Sequence, residues 1–178
     1  MTSLARSTLA ILLGLALVTP VFAQFDPADG ARKWRGDYES FHQGTAYHRQ
    51  AQESSQMIYY SQVVQPTAPV AVIEKQTASV KDNLTKSDEA LKAVKAAHPK
   101  DADVAKHVDS ILKHHANALT HCNMVAECCK KGDGPDKISA CCVEMYDELD
   151  AAKKELDVLK KHLKIEDLPV PKKPVPKK

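Results

Sequence analysis

Only six glycines occur in this 178-residue chain, and no three fall close enough together to cradle a phosphate. The Gly-x-Ser-x-Gly elbow that presents a nucleophilic serine is absent. So is Cys-x-x-Cys-His, the attachment motif of c-type haem. Glu-x-x-His, which ferritin-like di-iron bundles carry twice, occurs once, at Glu39–His42. These absences leave no Ser-His-Asp or Cys-His arrangement to argue for, and the chain is expected not to be an enzyme. Charge of one sign is also lacking: 25 Lys and Arg stand against 23 Asp and Glu. Four of the lysines, Lys172, Lys173, Lys177 and Lys178, lie in the last seven residues. The body is therefore slightly acidic and shows no nucleic-acid footprint.

One long apolar run is present, Leu9 to Val18, behind Arg6 and ahead of Val21-Phe22-Ala23. A short basic start, an apolar stretch and small residues at the cleavage positions predict a secretory signal peptide over residues 1–23. The run is too short to span a bilayer comfortably. No later segment is apolar enough to do so, and the mature chain is expected to have no transmembrane segment. The expected location is periplasmic or extracellular. There, thiols form disulfides unless a metal holds them. Five cysteines mean that one must remain unpaired in a monomer.

Residues 24–34 read as a lead-in and 35–165 as an all-α domain of four helices. The first, over 35–64, has sparse apolar positions (Tyr38, Phe41, Met57, Ile58, Tyr59, Tyr60), and Gly44 is expected to interrupt it. Pro66 and Pro69 break the chain, with Thr67 suited to N-cap the next helix. The second helix, over 71–97, carries Ile73, Thr77, Val80, Leu84, Ser87, Leu91, Val94 and His98 at alternating steps of four and three, a heptad seam. His98-Pro99 ends it. The third, over 101–130, has the seam Val104, Val108, Ile111, His115, Ala118, Cys122, Val125, Cys129. Gly132-Asp133-Gly134-Pro135 is a turn. The fourth, over 136–165, shows the clearest seam: Ile138, Cys142, Met145, Leu149, Ala152, Leu156, Leu159, Leu163. Short connections predict an antiparallel up-down-up-down four-helix bundle. Residues 166–178 form a basic Pro/Lys-rich tail, extended and solvated, that could tether the protein to an anionic envelope surface.

The residues preceding the seam form a second column. On the third helix these are His107, His114, His121 and Cys128; on the fourth, Cys141, Glu148, Glu155 and His162. One register pairs Cys128 with Cys141, His121 with Glu148, His114 with Glu155 and His107 with His162. A Cys128–Cys141 disulfide, with Cys129–Cys142 beside it, would close a loop of about 14 residues and stabilise by roughly 3 kcal/mol.

Imidazole, thiolate and carboxylate are the usual metal donors. One end of the bundle should collect His42, His48, His98, His107 and His162, of which His42, His98, His107 and His162 form one expected metal site. Cys122 faces Met145 in the seam, with His121 and His115 nearby, a softer donor set suited to copper. His115 faces Ala152, which leaves room for its ring or for a ligand of the ring. Two functions are consistent with these residues: an exported bundle that binds or buffers a transition metal, copper or zinc, and a disulfide-pinned structural or adaptor bundle of the cell envelope without metal.

Overall fold

The computed structural model describes residues 36–64 and 69–167. The expected leader, the lead-in and most of the basic tail lie outside the described residues, as does Thr67. Four helices pack against one another, and the described residues contain no strand. They are α1 (Gly36–Tyr59), continued by a π-helical turn over Tyr60–Val64, α2 (Val70–Ala97), α3 (Ala102–Lys131) and α4 (Pro135–His162).

The three clear seams are the buried faces of their helices. Ile73, Thr77, Val80, Leu84, Ser87, Leu91 and Val94 are buried on α2, and Val104 to Val125 on α3. Ile138, Cys142, Met145, Leu149, Ala152, Leu156 and Leu159 are buried on α4. Helix ends reflect local chemistry. The Asp101 side chain accepts from the Asp103 and Val104 amides at 3.1 Å and so starts α3. Gly132 ends it at φ 68°, a left-handed conformation that glycine adopts without steric cost. Pro135 opens α4, where its missing N–H would be unpaired anyway.

Helix α1 departs from expectation. It runs through Gly44 without interruption, and its buried residues are Asp37, Phe41, Gly44, His48, Ala51, Ser55 and Ile58. Those steps are four and three throughout, a heptad seam written mostly in small and polar residues. Met57, Tyr59 and Tyr60, three of the apolar positions that marked this segment, are instead exposed. The small residues serve close approach. At Gly44 an added Cβ would lie 3.0 Å from Leu91 Cγ, and Ser87 Oγ donates to the Gly44 carbonyl at 2.8 Å.

Between α1 and α2, Ser54 meets Ser79, Gly44 meets Ser87 and Asp37 meets His98. Between α3 and α4, His107 meets Glu155 and His114 meets Glu148. Rising numbers on one helix meet falling numbers on its partner. Contacts of α2 with α3 and of α1 with α4 close the ring.

The core falls into two apolar clusters. One holds Ala51, Ile58, Ile73, Val80, Leu84, Ala118, Val125, Ile138 and Leu149 with Cys122, Cys141, Cys142 and Met145. The other holds Phe41, Leu91, Val94, Val104, Val108, Ile111, Ala152, Leu156, Leu159 and Ile165. At the boundary sit His48, Ser87 and His115, all buried, with Asp88 beside them.

Candidate functional site

The expected column of pairs forms with a different register. His114 bonds Glu148, not Glu155, and His107 bonds Glu155, not His162, each at 2.6 Å. His162 turns to Asp101 at 2.9 Å. The two sides are staggered. Burial raises the Glu148 pKa, but hydrogen bonds from His114 and Asn117 outweigh it and hold the carboxyl below its ordinary range. The nearby His121 ring acts in the same direction.

The four imidazoles expected at one end do not converge. His98 bonds Asp37 at 2.9 Å, and His42 bonds the Glu166 carbonyl at 3.1 Å. With His107 on Glu155 and His162 on Asp101, each ring has its own acidic or carbonyl partner, which is a better match than another imidazole. Among the described residues, one group of three metal-type side chains brings its ligand atoms within 4.8 Å: Asp101, Asp103 and His162. Asp101 is already engaged there as the α3 cap and as the His162 acceptor.

The sulfur-bearing residues do gather. Cys122, Cys141, Cys142 and Met145 are buried in one cluster, with Cys128 and Cys129 packed against it. The Cys142 thiol is pushed up to about 12, first by burial and then by the neighbouring thiols of Cys141, Cys129 and Cys122. Burial pushes Cys122 up to about 11, and its Sγ–H donates to the Thr77 carbonyl at 3.6 Å. Burial also raises Cys128, with Asp133 and Cys141 adding to it. All five cysteines are unbonded thiols, so neither expected disulfide is formed in this structure. A groove of about 250 Å³, lined by Ser55, Gln56, Tyr59, Cys142, Val143 and Tyr146, leads to this cluster.

His115 lies apart from the thiols. Its Nδ1 is 2.6 Å from Asp88 Oδ1, and its Nε2 is 3.0 Å from His48 Nδ1. His48, expected at the bundle end, is buried in the middle with its Nε2 lacking any hydrogen-bond partner. Burial, then the charge of His115, pushes the His48 pKa down to about 3. His121 also has a buried, unpartnered Nδ1. Sequence reasoning missed the connection from His48 through His115 to Asp88. The signal was present: His48 sits on the four-three spacing of Phe41, Gly44, Ala51, Ser55 and Ile58, a seam concealed by its small residues.

Comparison with family models, curated proteins and solved structures gives no match.

Proposed function

We propose that this chain is an exported, antiparallel up-down-up-down bundle that binds or buffers a soft transition metal, copper in its reduced state before zinc. The observation that carries this reading is that Cys122, Cys141, Cys142 and Met145 are buried in one core cluster, with Cys129 packed against it and its thiol acting on that of Cys142. Thiolate and thioether donors select Cu(I). At neutral pH the Cys122 and Cys142 thiols are protonated, so metal must displace protons to bind there. The groove that reaches Cys142 supplies a route in. The chain acts as a holder and not as an enzyme, and its basic tail would keep it near an anionic envelope surface.

Anaerobic titration of the reduced mature protein with Cu(I) and Zn(II), with proton release followed in parallel, tests the proposal. Tight Cu(I) uptake with proton release is expected, and Cys122→Ala with Cys142→Ala should weaken it by at least tenfold. Uptake no tighter than that of a histidine-bearing control protein would end it.

A second reading is favoured by one contact, the Cys128 thiol beside that of Cys141. In an oxidising compartment those two would join, with Cys129–Cys142 as the companion bond, and the bundle would be a stapled structural or adaptor element. Mass spectrometry of protein handled without reductant separates the two. Four oxidised cysteines support the staple, and five free thiols support the metal holder.

A further inference from the structure

Past α4 the chain turns back onto the bundle. Lys164 adopts φ 52°, and the Ile165 amide donates to the Lys160 carbonyl at 3.0 Å. Ile165 is buried, and the Glu166 carbonyl accepts from Tyr38 at 3.2 Å and from His42 at 3.1 Å. Asp167 bonds Lys160. The last described residues therefore lie over the junction of α1 and α4, at the end where α1 begins.

That junction carries one stripe from each helix. His42, Arg49 and Gln56 recur one heptad apart on α1, and Lys160, Lys153 and Tyr146 do so on α4. At the far end Gln56 and Tyr146 line the groove that reaches Cys142, with Tyr59 and Val143 beside them. Tyr59, Val143 and Tyr146 are 39%, 46% and 37% exposed, so large apolar surface is left open on both walls of one groove. Charge also changes along the junction. Arg49, Lys153 and Lys160 stand in its first part. Around the groove, residues 51–64 and 138–152 contain Glu53, Glu144, Asp147, Glu148 and Asp150 and no Lys or Arg.

Residues 168–178 lie outside the described residues, and their sequence is complementary to this surface. After Leu168 they consist of Pro-Val-Pro-Lys-Lys written twice. Proline-rich segments favour the polyproline II helix and dock in grooves lined by aromatic rings, at small entropic cost because the helix is preformed.

We propose that residues 168–178 dock along the α1–α4 junction and cover the groove at Cys142. The lengths agree. Lys160 to Tyr146 is about 21 Å at 1.5 Å per helical residue, and seven residues beyond Asp167 span about 22 Å at 3.1 Å each. Pro174 then reaches Tyr146, and Val175 and Pro176 reach Val143 and Tyr59. The charges agree in the same register. The uncharged Pro169, Val170 and Pro171 pass Lys153. Lys172 and Lys173 come beside Asp150 and Asp147, and Lys177 and Lys178 come within reach of Glu144. Asp150 already pairs with Lys154 at 2.9 Å, so Asp147 and Glu144, both exposed, are the main anchors.

The inference stands on the groove and the tail sequence, whether or not the thiols take metal. The same lysines cannot hold the groove and an anionic surface together, so such a surface would uncover Cys142.

The test uses reduced mature protein at low ionic strength. NMR should show contacts from the Pro174, Val175 and Pro176 side chains to the Tyr59 and Tyr146 rings, unchanged on dilution. A chain ending at Asp167 should shift both ring signals. Its Cys142 should react with iodoacetamide about threefold faster or more, as when a cover in place about two-thirds of the time is removed. Cys128 and Cys129 should react at the same rate in both chains. Lys172→Glu, Lys173→Glu, Lys177→Glu and Lys178→Glu together lie outside the bundle and leave its folding intact. They should reproduce the truncated chain, as should about 0.5 M salt. Absence of tail-to-tyrosine contacts in the wild type, or an unchanged Cys142 rate on truncation, overturns the proposal. Contacts that vanish on dilution overturn it too, since the occupant would then be the tail of a second copy.

Discussion

Ser87 of α2 donates its hydroxyl to the Gly44 carbonyl of α1 at 2.8 Å, and the side chain is fully buried in doing so. The two backbones come this close because Gly44 has no Cβ. Gly44→Ala would place a carbon 3.0 Å from Leu91 Cγ, in a fully buried leucine with little freedom to yield. Crowding of this kind costs about 1–3 kcal/mol, against about 1 kcal/mol regained in helix propensity. A net loss of about 1 kcal/mol is expected in urea unfolding, and Gly44→Leu should prevent folding.

Acid should loosen the bundle through His48. Its pKa falls from 6.5 in the unfolded chain to about 3 in the core, so the unfolded state binds the proton first. The stability this ring contributes is complete above pH 6.5 and is lost as pH falls from there toward 3. The slope approaches about 1.4 kcal/mol per pH unit across that window. His162 has the opposite sign: its bond to Asp101 raises its pKa, so its contribution is present below 6.5 and lost as pH rises through the folded value. Urea midpoints measured from about pH 7.5 to 4 should fall steeply for the wild type and less steeply for His48→Phe. Equal slopes would contradict the assignment.

The thiols should react in order of access. Cys128 and Cys129 are partly exposed, whereas Cys122 and Cys142 are buried with pKa values of about 11 and about 12. The thiolate is the reacting form, so iodoacetamide should modify Cys128 and Cys129 first. Cys142, which lines the groove, should follow more slowly, and Cys122 should react at the rate of unfolding. Peptide mapping over time checks this, and early labelling of Cys122 would refute it.

The register of α3 on α4 can be read thermodynamically. A double-mutant cycle on His114 and Glu148 should give a coupling of about 0.5 kcal/mol, as for partly exposed ion pairs. The cycle on His114 and Glu155 should give none.

Much of the bundle is legible in the sequence because leucine, isoleucine and valine at steps of four and three admit few other interpretations. The seams of α2, α3 and α4 can be read residue by residue. The seam of α1 cannot, because Gly44, Ala51 and Ser55 enter the core for their small size, and size leaves no mark on a hydrophobic pattern. For the same reason exposed Met57, Tyr59 and Tyr60 mislead. The thiol-rich end is visible from the spacing of Cys122, Cys129, Cys142 and Met145. The fate of the histidines is not. Column membership names neighbours, but a stagger between helices decides which of two neighbours a side chain bonds, as Glu148 does with His114.

The interruption of the apolar core by His48, Ser87 and His115 bears on how the chain finds a single arrangement. Leucine-rich heptads are nearly degenerate, since sliding one helix by about seven residues meets another apolar layer. Here such a slide would strand two imidazoles and a hydroxyl against hydrocarbon. Misaligned assemblies are thereby penalised, and the correct one is distinguished from its near copies by its least hydrophobic stratum.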